Sequence, residues 1–513
     1  MKKQIIAYIG LILAICLNVH ASEKINVAIS AAPNNLNPFF STDANSQNIN
    51  RLVHMALIDF NQKMQFECKA CLSFNESILN GKQIINFNLR EDLTFADGSP
   101  ATSTDVINSW EYFAKNEKIN STFMAAFKSI EKITAVDKYH LSIIFKSFSL
   151  ENLSNLALLK IIKLKNPNSE SKEVADVIGC GDYVLTDVQP LEVTVTPKDQ
   201  SKPIFVFKVV KDETTLALKL INKEIDLAVA NISPRKIQWL KTKAKMLTVW
   251  DMPSGNYLFM GLNHNREVFK DIKVRKAISL LIPREDILKY KLKNTAILSN
   301  GMFSPAFAEM YESAPIEFYN KIEARKLLKE AGFVKNTNGI LEKNGRELEI
   351  DWKVSNNKAS IEVVEVIQHF LEQEGFKISL SIQEWGTYMS AFKGGKFDIV
   401  IGQWIGFTGP DMLKFVFHSK SVPPVAGNRT SYNNPDFDKV VDAATIETNA
   451  SKRVTLYKEA MNIANRDYAY VNLWHPNIVW IGSNCLKNIV LEPTGGFYPL
   501  LKITKSHEGE CGK

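Results

Sequence analysis

A mixed α/β fold of about three domains is what this sequence predicts, and three observations carry that reading. The chain has 513 residues, enough at roughly 100–200 residues per domain for about three hydrophobic cores. Hydrophobic residues make up 45% and charged residues 23%, an ordinary soluble balance that sets aside disorder, collagen-like repeats and a polytopic membrane protein. From Lys24 onward, short apolar strand patterns alternate with helical ones, with no internal repeat and no disordered linker. Alternation of that kind favours sheets covered by helices.

The first segment reads as an address. Residues 1–21 combine Lys2 and Lys3, an uncharged apolar run from Ile5 to Leu17, and Val19-His20-Ala21 as a small-residue cleavage site, the layout of a secretory signal. The run is short for an anchor across ~30 Å of hydrocarbon. Cys16 resembles the acylated cysteine of a lipoprotein signal, but Ile15 stands where that signal has a small residue, so a soluble periplasmic product is expected over a lipid-anchored one. The net charge of +7, lowered by two if Lys2 and Lys3 leave, is scattered without a basic stripe, so no nucleic-acid partner is expected.

The elements follow in order. Ile25–Ser30 has a strand pattern, Pro33 to Pro38 is a loop between two breakers, and helical periodicity runs through Asn48–Ile58. Ile84–Arg90 alternates as a strand and meets Asp97-Gly98 turn chemistry, after which Ser103-Thr104-Asp105 caps a helix through Phe113. Leu, Ile and Val at three- and four-residue spacing predict helices over Thr214–Ile221, Lys273–Leu281, Lys321–Glu330, Ala359–Glu374 and Arg453–Ala464. Strands are predicted at Leu141–Phe145, Ile204–Val209, Phe376–Ile382, Asp398–Ile401 and Ile478–Ile481.

Beyond Cys16 the cysteines number five: Cys68, Cys71, Cys180, Cys485 and Cys511, so at least one thiol is left free. Cys68, Cys71, Cys485 and Cys511 are the disulfide candidates, with their connectivity open. Cys68-Lys69-Ala70-Cys71 has redox or half-zinc spacing, yet no second such pair accompanies it, and a local disulfide or two unpaired thiols is the plainer reading. Phosphate-cradle, dinucleotide, zinc-helix and nucleophile-elbow motifs are all missing. Three S-x-x-K matches, at Ser129, Ser233 and Ser390, stand without the accompanying S-D-N or K-T-G. An enzyme is therefore not expected, and no cofactor is implied.

Eight fragments, in order, carry a resemblance. They include Ile25-Asn-Val-Ala with Asn35-Leu36-Asn37-Pro38, and the most specific run, Phe87-Asn-Leu-Arg90 through Phe95, Asp97-Gly98-Ser-Pro100 and Asp105-Val106. Gly179-Cys-Gly181-Asp-Tyr183, Lys223-Glu224-Ile225-Asp226, Asp271 to Ile278 with Arg284, Ala324 to Phe333 and Tyr432 to Asp438 follow at plausible distances. Together these fragments resemble the family 5 bacterial extracellular solute-binding proteins, the receptors of oligopeptide, dipeptide and nickel ABC importers. The resemblance implies a periplasmic binding protein type II-like fold, with two lobes, a two-strand hinge and an inserted domain. It assigns 24–50, 165–262 and 478–513 to the first lobe, 51–164 to the insertion and 263–477 to the second lobe. The hinge strands are expected around Phe259–Leu262 and Ile478–Ile481.

The same resemblance implies the ligand site. Trp385 and Trp404 lie 19 residues apart, as in oligopeptide-binding members where both flank the peptide. Flat aromatic walls offer contact area without demanding one side-chain shape, while the backbone pairs the peptide as an added strand. Gly406, Phe407, Thr408 and Asp411 follow Trp404. Peptide-binding members place an Asp where Phe407 stands, to pair with the α-ammonium, and a buried ammonium without a carboxylate costs several kcal/mol. Asp411 or Asp43 is expected to supply that carboxylate, unless the ligand has no free amino terminus. Phe123 falls near another aromatic contact of the family.

The implied function is capture of a peptide or peptide-like solute by hinge closure of a monomer, and its delivery to an ABC permease in the inner membrane. A metal chelate, haem, an opine or a sugar is the alternative ligand. His418 and His475 are the only histidines singled out near a cleft, and no metal site is expected from them. A secreted enzyme using Cys68 and Cys71 is the alternative of a different class.

Overall fold

In the computed structural model the described residues are 23–506, except 168–169, 171–172, 230–231, 312–317, 407–408 and 425, together with Cys511. The leader 1–21, with Cys16, and the expected ligand residues Phe407 and Thr408 lie outside them. One sheet of 12 strands organises the chain. Its main path runs Tyr183–Gln189, Glu192–Pro197, Ile204–Val209, Lys24–Ile29, Leu227–Ala228, Val471–Ser483, Tyr257–Leu262, Ile399–Trp404, Glu349–Ser355 and Lys377–Gln383. Lys24–Ile29 is parallel to both Ile204–Val209 and Leu227–Ala228, and Glu349–Ser355 is parallel to both of its neighbours. Such parallel neighbours need crossover helices, and Glu213–Ile221 and Lys358–Gln373 are two of them.

The 13-residue strand Val471–Ser483 lies in the middle and changes partners along its length. Residues 477–483 pair with Leu247–Pro253, and residues up to Pro476 pair with Tyr257–Leu262 and Ala296–Leu298. Leu247–Pro253 and Tyr257–Leu262 are joined by the short turn Ser254-Gly255-Asn256, so both backbone crossings fall at one level of the sheet. Ser254 donates its backbone N–H to Pro476 O at 3.2 Å, which ties the two crossings together. The strands expected around Phe259–Leu262 and Ile478–Ile481 flank this point.

Separate cores form on either side of it. Ile25, Val27, Phe205, Phe207, Trp480 and Leu500 fill one, and Leu262, Ile278, Leu328, Trp352, Ile367 and Ile399 fill another. A four-stranded antiparallel sheet, Cys71–Leu79, Lys82–Leu89, His140–Phe145 and Ile130–Ala135, packs with the helix Ser103–Ala114 around Phe87, Trp110, Phe113 and Phe145. Among the described residues no helix is long and apolar enough to cross a membrane.

Most predicted elements form within a residue or two of their expected ends, and among those that differ are two whose capping residues set other limits. The helix expected at Asn48–Ile58 is Ala44–Val53 instead: Asp43 caps it through the Ser46 N–H, and His54 is already extended. The helix near Phe113 begins after Thr102, whose side chain forms a capping box with Asp105, so Thr102 rather than Ser103 is the cap. Cys68–Cys71 and Cys485–Cys511 are disulfides, and Cys180 is the free, buried thiol.

Candidate functional site

The helix Trp385–Lys393 opens with Glu384 as its cap, whose carboxylate accepts the N–H groups of Gly386 at 2.7 Å and Thr387 at 3.2 Å. That cap fixes Trp385 at the first position, where it is 59% exposed. The helical spacing 385, 388, 392 puts three rings in line: Trp385 stacks on Tyr388 at 5.9 Å between centroids, and Tyr388 on Phe392 at 5.9 Å. The buried Tyr388 hydroxyl donates to Ile401 O on the strand Ile399–Trp404, which fastens the helix to the sheet.

Trp404 ends that strand and lies flat against Phe259 of the neighbouring strand, centroids 6.4 Å apart at 16°. Gly402 makes this possible, since a Cβ there would stand 2.5 Å from the Phe259 ring. Phe415 meets Trp404 edge-on at 5.9 Å, and the Arg429 guanidinium lies over both Trp404 (4.7 Å) and Phe392 (4.2 Å). Trp385 and Trp404 are thus the two ends of one aromatic shelf, linked through Tyr388, Phe392 and Arg429. Trp385 is the exposed end, and Trp404 is half-buried.

Beyond Trp404 the chain turns outward at Gly406, whose φ of +67° lies in the left-handed region that glycine adopts freely. Its N–H reaches the Asn256 side-chain carbonyl at 3.4 Å, in the turn between the two crossing strands. Asp411 then starts the helix Met412–Phe417. Burial, with help from the negative charge of Glu151, raises its carboxyl to about 6, although backbone N–H groups pull the other way. Glu151 belongs to the helix Leu150–Leu156, whose Leu153 and Leu156 pack in the core of the four-stranded sheet, and Arg453 sits over Phe148 at 5.3 Å just before it. Asp411 therefore lies partly exposed and near enough to Glu151 to feel its charge.

The other expected ligand residues lie elsewhere. Asp43 is engaged in its own loop, accepting from Ser46 N–H at 3.0 Å, Asn34 N–H at 3.1 Å and the Ser46 hydroxyl. Phe123 is half-buried against the core around Phe39 and Phe113, with its N–H on Ser121 Oγ at 3.2 Å. Sequence reasoning missed Arg429, Asn256, Phe259 and Glu151, which are brought in by packing rather than by any motif. His418 is buried between Asp438 and Asp442, and His475 points its Nδ1 at Asn256 O, 2.9 Å away. Burial lowers His475 to about 4, so it is neutral near pH 7. Among the described residues no group of three or more His, Cys, Asp or Glu is placed to hold a metal ion.

A second concave region, a cavity of about 560 Å³, is lined by Cys68, Lys69, Arg90, Glu492 and Tyr498 and holds none of the expected ligand residues. Burial raises the Glu492 carboxyl to about 7. The buried Cys180 thiol is pushed up to about 11 by the same cause, which leaves it a poor nucleophile.

A sheet shared by two halves, crossed at one level, with an aromatic shelf that ends beside the crossing turn, is the architecture of a type II-like solute-binding receptor. The chain belongs to the bacterial extracellular solute-binding proteins, family 5, whose middle-region model matches residues 75–422. The oligopeptide-binding protein AppA of Bacillus subtilis is 24% identical over 474 residues, covering 87% of this chain and 84% of that protein. The glutathione-binding protein GsiB of Salmonella typhi is 24% identical over 498 residues, covering 93% and 94%. Among solved structures, NikA from Brucella suis in complex with Fe(III)-EDTA superposes with a TM-score of 0.83 at 22% identity, covering 94% of this chain and 100% of that one.

Proposed function

We propose that this protein is the exported receptor of an ABC importer, which captures a peptide or peptide-like solute between two closing lobes and delivers it to a membrane permease. The aromatic shelf from Trp385 to Trp404, joined through Gly406 to the crossing turn at Asn256, carries the reading. Flat rings hold varied side chains by contact area, and a loop bonded to the crossing turn can sense closure. The names of similar proteins, oligopeptide-binding AppA and glutathione-binding GsiB, support a peptide-like ligand. In this reading residues 24–50, 165–262 and 478–513 form one lobe, 263–477 the other and 51–164 the insertion, with residues 1–21 a cleaved signal.

Asp411 is the carboxylate available for a ligand ammonium, because Asp43 is already capping a helix. Denaturing the purified protein and identifying released small molecules by mass spectrometry tests the proposal. Peptides or other primary amines are expected, and a set containing only non-amine solutes rules out the peptide assignment.

A further inference from the structure

The enclosed arginines of this protein spend their N–H groups on acceptors. Arg51 is paired with Asp59 at 3.1 Å, Arg275 donates to the carbonyls of Phe269, Lys270 and Asp467, and Arg284 donates to Asn472 O and Ser279. Arg429 is different. Its Nε is fully enclosed without a hydrogen-bond acceptor, and no carboxylate among the described residues pairs with its guanidinium. The side chain is half-buried, and among the described residues the faces of Phe392 and Trp404 lie against it at 4.2 and 4.7 Å, with Tyr388 and Tyr470 nearby. Burial works against its charge.

Ring faces attract a guanidinium but fill none of its N–H groups, which lie in the plane of the fork. The arrangement holds the guanidinium against two rings and leaves its fork without an acceptor among the described residues beside Trp404, one end of the aromatic shelf. A planar fork held in this way matches a carboxylate with two parallel hydrogen bonds.

We infer that Arg429 reads a carboxylate of the bound solute, so that the receptor selects ligands carrying an acidic group in contact with Trp404. This inference rests on the receptor reading above and narrows its ligand to an acid, such as a peptide with a free C-terminus.

The test compares the wild type with Arg429→Gln, using an equimolar tripeptide mixture with free C-termini and the same mixture amidated, by calorimetry. A charge-assisted pair predicts that the wild type prefers the free acids by roughly ten- to a hundredfold. The variant is expected to lose that preference, its affinity falling further for the free acids than for the amides by that same factor, with Arg429→Lys intermediate. Equal loss on both mixtures overturns the inference and makes Arg429 a packing clamp, while the peptide reading stands. Failure of the wild type to bind either mixture sinks the peptide reading instead. Arg429 is then judged on the solutes released from the two proteins by denaturation: a carboxylate that co-purifies with the wild type and not with the variant supports the inference, and identical sets overturn it.

Discussion

Asn256 accepts the N–H of Gly406 on its side-chain carbonyl at 3.4 Å. Its backbone carbonyl meanwhile faces Nδ1 of His475, on the other crossing strand, at 2.9 Å. One residue therefore touches both crossings and the loop that follows Trp404. A change of angle at the crossing must either stretch the Gly406 bond or carry the loop with it.

Removing that side chain should uncouple the two. Asn256→Ala deletes one neutral hydrogen bond, so peptide affinity is expected to fall roughly two- to tenfold with little change in melting temperature. Calorimetry on a tripeptide mixture, with a melting curve beside it, checks this. An unchanged affinity would mean that the bond plays no part in binding.

The two tryptophans should separate by what they pack against. Trp404 is set into the Phe259–Phe415–Arg429 cluster, so Trp404→Ala is expected to cost about 3 kcal/mol of stability. Trp385 is 59% exposed, and Trp385→Ala should cost under about 1 kcal/mol while still weakening ligand binding. Urea unfolding of both variants gives the comparison, and equal losses would refute it.

Asp411 should make binding and stability run in opposite directions with pH. Its folded carboxyl is raised to about 6, above the unfolded value, so the folded state holds the extra proton and stability falls as pH rises through that window. Asp411→Asn is therefore expected to stabilise the protein at pH 7 by about 1–3 kcal/mol and to make no difference below about pH 4. A ligand ammonium needs the ionised form, so wild-type affinity for peptides should rise from pH 5 to 7 and the Asn variant should lose that rise. Affinity flat across this range in the wild type would remove Asp411 from the site.

The two disulfides should differ in worth. Cys485–Cys511 spans 26 residues and Cys68–Cys71 only 3, and loop-closure entropy predicts about 3 and about 1–2 kcal/mol respectively. Replacing both members of each pair with Ser and comparing melting temperatures tests the order. Peptide binding that survives loss of Cys68 and Cys71 would also argue against an oxidoreductase built on that pair.

Local pattern was enough for elements whose ends are marked by their own residues. The helix Lys321–Glu330 and the strand Ile204–Val209 form over the spans their apolar spacing predicts. The long central strand was legible only as Ile478–Ile481, because Pro476 interrupts the pattern, and only its pairing with Ala296 shows that the strand continues through it. The site divides in the same way. Trp385, Trp404 and Asp411 could be named from a stretch of about thirty residues that resembles a known motif, whereas Arg429, which lies outside that motif, and Asn256, 150 residues from Gly406, reach Trp404 and Gly406 by packing alone. A contact of that kind leaves no spacing for a sequence to display.

The position of Val471–Ser483 has a consequence for how the chain is made. This strand comes after every other strand of that sheet in the chain, yet it lies between Leu227–Ala228 and Tyr257–Leu262 in the interior of the sheet. A nascent chain that stops short of it holds two unjoined fragments of sheet with open edges. Closure of the sheet therefore waits for this strand, and until it pairs, the open edges leave both fragments prone to aggregation.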